Sequence, residues 1–134
     1  MGCCGGVLKD PEIERAKTMD EVIAVMKKKC DNLAEEKTQI STFLEDETKP
    51  ITIVKVDGLS KEDLEKRIPY LDKLSDCYSE VIEELEAKKT LPLKETKEYL
   101  YNILNHYFVS YDSTEGYRND LAKFKQFTFA NKKV

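Results

Sequence analysis

The stretch MDEVIAVMKKKCDNLAEEKTQISTFLE, residues 19–45, decides the fold. Its apolar residues include Met26, Cys30, Leu33, Ile40 and Leu44, and with Lys37 they step by four and three alternately. That spacing is a heptad seam on one face of a helix, interrupted only by Lys37. A helix of this length extends roughly 40 Å. The seam is too short to argue for a free-standing coiled coil. It predicts one arm of a long hairpin packed against other helices.

Working outward, Asp10-Pro11 has the form of a helix start, a capping acid followed by proline at the first helical position. Thr18 and Glu21 form a second capping box, so the chain either breaks near Thr18 or runs through it. Downstream, Lys49-Pro50 ends the long helix and Asp57-Gly58 marks a turn. Residues 51–56 (ITIVKV) read as a strand, yet no second strand signal offers it a partner. An extended connection lying on the helices is the expectation, with an edge for a partner's sheet as the alternative.

Ser60 and Asp63 cap the next helix. Leu64, Leu71, Leu74, Tyr78, Val81 and Leu85 carry the three-four spacing to about Lys89, and Pro69 should kink or restart this helix. After Leu91-Pro92, a third helix is expected from about Leu93 to Tyr111, with Tyr99, Leu100, Ile103, Leu104, Tyr107 and Phe108 on its apolar face. Asp112-Ser113-Thr114 reads as a turn and cap. A last helix carries Tyr117, Leu121, Phe124 and Phe127. The fold class is all-α, a bundle of three to four helices with long antiparallel arms. Residues 1–9 form a flexible anchor, 10–128 the bundle and 129–134 a basic tail.

Composition agrees. The chain has 134 residues, 36% charged and 40% hydrophobic, which suits one helical domain with a wet surface. Three of its five glycines fall in the first six residues, so the body has few breakers. No apolar run approaches the roughly 20 residues needed to span a bilayer. No basic-then-apolar secretory signal and no glycosylation acceptor is seen. A cytosolic setting is therefore expected, with Cys30 and Cys77 as core residues rather than a disulfide.

The opening Met1-Gly2-Cys3-Cys4-Gly5-Gly6 resembles the N-terminus of dually acylated peripheral membrane proteins, such as Src-type kinases, G-protein alpha subunits and the lysosomal Ragulator anchor subunit. The resemblance covers six residues and implies a modification, not a family for the body. It implies myristate on Gly2 and palmitate on Cys3 and Cys4. One myristoyl chain binds a bilayer with a constant of only about 10⁴ M⁻¹, and a second acyl chain makes attachment stable. The sequence departs from the common pattern in having Gly6 where Ser or Thr is usual. Incidental or redox-active cysteines, or a metal-binding pair, are the competing readings of Cys3 and Cys4. No nearby ligand completes a metal site.

No catalytic signature is found. Gly58 and Gly116 stand alone, so no phosphate-cradling loop exists, and Asp57-Gly58 lacks calcium-loop spacing. The single histidine, His106, reads as a packing or surface residue, with pairing to Cys30 or Cys77 as a minor alternative. Acidic runs alternate with lysines as on a solvated face. No cofactor or metal is expected. Residues 118–134 carry a net charge of +4, against −4 for the whole chain, which leaves −8 on the rest. Such a body suits nucleic acid poorly. The basic, Phe-rich end (Lys123, Phe124, Lys125, Phe127, Phe129, Lys132, Lys133) suits an anionic membrane surface, or else is an ordinary final helix with a polar tail.

These features predict a non-enzymatic, membrane-tethered adaptor on a cytoplasmic face, with protein partners on its helical faces. A structural subunit of a cytoskeletal or pellicle assembly is the alternative. A small helical enzyme or ligand-binding bundle, with a pocket near His106 and the tyrosines, is a second.

Overall fold

The computed structural model describes residues 8–49, 51–52, 60–108 and 115–131. Five α-helices form among them: α1 Pro11–Arg15, α2 Met19–Glu45, α3 Lys61–Ala87, α4 Leu93–Asn105 and α5 Glu115–Ala130. No strand forms among the described residues, and none of their helices is long and apolar enough to cross a membrane. The all-α bundle is as expected, with α1 as a short fifth element. The anchor residues Gly2, Cys3 and Cys4, most of the 51–56 connection, Asp112-Ser113-Thr114, Lys132 and Lys133 lie outside the described residues.

Local chemistry sets the starts. The Asp10 carboxylate accepts the Glu12 and Ile13 amides at 3.0 and 3.1 Å, and Pro11 follows at the first helical position. The chain breaks at Thr18 rather than running through it. Thr18 Oγ1 accepts the Glu21 amide at 3.1 Å, while Glu21 accepts the Lys17 amide at 3.3 Å. The carbonyls freed at the end of α1 are met by Lys97 of α4, whose ammonium binds those of Glu14 at 3.0 Å and Ala16 at 2.5 Å. Ser60 and Asp63 close a full capping box on α3.

Helices α2 and α3, of 27 residues each, make the most extensive contact among the described residues. Cross-links between the two arms and their flanks run in opposite order along the sequence: Asp20 to Lys89, Lys27 to Glu86, Cys30 to Ser75, Lys37 to Asp72 and Glu47 to Lys61. The pair is an antiparallel hairpin. Helix α4 runs antiparallel to α5, with Tyr99 stacked on Phe127 at 4.6 Å and His106 bound to Asp120. Helix α5 runs parallel to α3, as the pairs Tyr70–Tyr117, Glu80–Lys125 and Glu84–Thr128 show. Met26, Ile40, Leu71, Leu74, Leu85, Leu100, Ile103 and Phe124 are fully buried where these helices meet.

Three expectations are corrected. Of the two outcomes expected at Pro69, a kink or a restart, the restart does not occur: helix α3 continues from Lys61 to Ala87 with Pro69 inside it. Proline removes the amide that would bond the Glu65 carbonyl, but Glu65 and Pro69 are both exposed, so water can serve that oxygen. The third helix ends at Asn105, not Tyr111, and tightens into a 3-10 turn over His106–Phe108. The seam of α2 also turns differently. Its buried positions run Met26, Leu33, Glu36 and Ile40, and Lys37 lies outside, bound to Asp72 at 2.7 Å.

Candidate functional site

At the basic end, Phe124 and Phe127 are buried against Tyr99. Membrane contact through these two is therefore corrected: their rings fill the seam between α4 and α5. Lys125 is ion-paired with Glu80 of α3. Lys123 and Phe129 are exposed, the latter 72% so, on a helix that runs on through Ala130. Cys77 is a core residue, and burial pushes its thiol up to about 12. Cys30 is half-buried beside the Ser75 hydroxyl at 3.4 Å. His106 pairs with neither cysteine. Its Nε2 lies 2.5 Å from Asp120 Oδ2, and its ring packs on Gly116, where an added Cβ would come within 2.6 Å of Cε1.

The most concentrated polar arrangement joins α2, α3 and the turn after α4. Glu36 is 1% exposed and Arg67 7%. Arg67 Nε donates to Glu36 Oε2, and the Tyr107 hydroxyl donates to Glu36 Oε1 at 2.6 Å. The guanidinium also lies over the Tyr107 ring, 5.0 Å from its centroid. Two facing helices thus bring one charge each to their shared interior, and a phenol takes the remaining carboxylate oxygen. Burial, then the Glu36 carboxylate, pushes the Tyr107 hydroxyl up. For Arg67, burial is the largest influence and pulls down, but the Glu36 carboxylate and the Tyr107 hydroxyl together pull up by more, and the net shift is upward. Neither group changes charge near neutral pH. Arg67 and Tyr107 therefore act as fixed donors in this lock. Next to it, the Tyr70 hydroxyl donates to the His106 carbonyl at 2.9 Å and ties the same turn to α3.

Beside this lock lies a cavity of about 190 Å³. Its walls include Leu33 and Glu36 of α2, Tyr78 of α3, Leu104 of α4 and Tyr107. The α1 cap closes another side through Asp10, whose carboxylate binds Lys29 at 2.7 Å, and Asn32 stands exposed at the opening. Among the described residues, no three His, Cys, Asp or Glu side chains gather as metal ligands.

Sequence reading missed Glu36 and Arg67, although a signal existed. Position 67 is the missing term in the series 64, 71, 74, 78, 81, 85. The helical spacing places Tyr107 on the apolar face, and its hydroxyl contact is visible only in three dimensions. The class this geometry defines is an antiparallel helical bundle with a charged lock in its interior. Comparison with protein-family models, curated proteins and solved structures finds no match to this chain.

Proposed function

We propose that the protein is a helical adaptor, held on the cytoplasmic face of a membrane by acyl chains on Gly2, Cys3 and Cys4, that presents its helical faces to a protein partner. The observation that carries this reading is the sequence Met1-Gly2-Cys3-Cys4, which places an amine acceptor and two thiol acceptors side by side. Two or more acyl chains give stable attachment where one does not. Leu8 and Lys9, the first described residues, are exposed, so the chain enters the bundle from its surface.

Mass measurement of the protein isolated from its own cells tests the anchor directly: myristate and palmitate are expected on the N-terminal peptide. Gly2→Ala is expected to move the protein from the membrane pellet to the soluble fraction. Replacing Cys3 and Cys4 with Ser weakens attachment and leaves myristate in place. A Gly2→Ala variant that still pellets with membranes refutes the reading.

A further inference from the structure

We propose that the cavity between α1, α2, α3 and α4 is a binding site for a small, uncharged, single-ring molecule with a hydrogen-bonding group, received by the Tyr78 hydroxyl. This inference stands apart from the acyl anchor. Tyr78 is only 2% exposed and lines the cavity. A buried tyrosine normally hydrogen-bonds its hydroxyl. Among the described residues no hydrogen-bonding group meets this one. Yet no fully enclosed side-chain nitrogen or oxygen there lacks a partner. The Tyr78 hydroxyl therefore keeps access to open space, and the space Tyr78 borders is the cavity. Burial pushes this hydroxyl up, so it stays protonated and can both donate and accept.

Size and charge narrow the ligand. A cavity of about 150 Å³ lined by aliphatic and aromatic side chains holds benzene. The 190 Å³ here admits one ring with a small polar substituent, against Leu33 and Leu104. The charges in the wall are already matched, Asp10 with Lys29 and Glu36 with Arg67. A charged ligand would have to break one of these pairs or remain unpaired at a buried position, whereas a neutral one disturbs neither.

Phenol is the probe, and the full chain is the sample. Titration followed by amide NMR is expected to give saturable shifts centred on Leu33, Tyr78 and Leu104, with a melting temperature that rises with phenol. Benzene is expected to bind more weakly than phenol. Tyr78→Phe should weaken phenol binding by about tenfold, the order of one buried hydrogen bond, and bring phenol and benzene level. Asn32→Trp, at an exposed position, should block entry without disturbing the core. Circular dichroism melts establish that each variant is folded. If Tyr78→Phe fails to fold, the phenol–benzene comparison and Asn32→Trp decide. Shifts scattered over the surface, no saturation, or a folded Tyr78→Phe that binds phenol like the original would overturn the proposal.

Discussion

The α2–α3 hairpin is closed differently at its two halves. Where Met19–Cys30 meets Cys77–Ala87, the interior is apolar, with Val22, Ile23, Met26, Cys77, Val81 and Leu85 buried. Where Leu33–Ile40 meets Leu64–Leu74, the same seam admits Glu36 and Arg67. The apolar half gains from area removed from water. The charged half gains little net energy, because desolvating two ions offsets their attraction. It does require one alignment, since Arg67 reaches Glu36 in a single register. Affinity between the arms comes from one half and their alignment from the other.

The largest expected effect breaks the charged half. Arg67→Met leaves Glu36 buried with only Tyr107 to serve it, and should cost about 3–5 kcal/mol. Adding Glu36→Leu to that variant should recover most of the loss, since no charge is then left inside. Urea unfolding of the two single variants and the double variant checks this. If Arg67→Met alone costs under about 1 kcal/mol, the charged half is not sealed from water.

The comparison also marks where sequence reading stops. On α3 the buried positions 64, 67, 71, 74, 78, 81 and 85 follow an unbroken three-four alternation, and the apolar residues alone announce the helix and its face. Arg67 fits the series by spacing, but charge usually means surface. On α2 the ambiguity was sharper. Counting on from Leu33, both Glu36 and Lys37 lie within a helical step, and nothing local says which faces inward. The partner decides: Arg67 selects the carboxylate, and Asp72 draws Lys37 outward. The caps at Asp10, Thr18 and Ser60 were legible because each depends on a few adjacent residues. The cavity was not, because residues 10, 33, 78 and 104 come from four separate elements. Phe124 and Phe127 fit either lipid or core by pattern, and Tyr99 settles them as core.

A second substitution measures the apolar half. Leu85 is fully buried, and Leu85→Ala should cost about 3 kcal/mol in transfer and cavity terms together. Its effect should be insensitive to salt, and no change at a second site of opposite charge should rescue it. A salt-dependent loss at Leu85 would mean that the surface ion pairs Lys27–Glu86 and Asp20–Lys89 govern this half instead.

The smallest effect concerns a carboxylate at the rim of the apolar half. Glu84 accepts from the Thr128 hydroxyl at 2.6 Å and from Lys88 at 2.9 Å, and so joins α3 to the end of α5. The Thr128 bond, then the Lys88 bond, hold its pKa below the ordinary value of 4.5. A carboxylate lowered in the folded state binds its proton more readily when unfolded. Its contribution is therefore complete above about pH 4.5 and fades as pH falls through the folded value. Glu84 is partly exposed, so solvent screens the effect, and Glu84→Gln should cost less than about 1 kcal/mol at pH 7. The diagnostic is the slope. Between pH 6 and pH 3 the melting temperature of the Gln variant should fall less steeply than that of the original chain. Equal slopes would show that the tie between α3 and α5 rests on the Tyr70–Tyr117 ring contact and the apolar packing around it rather than on this carboxylate.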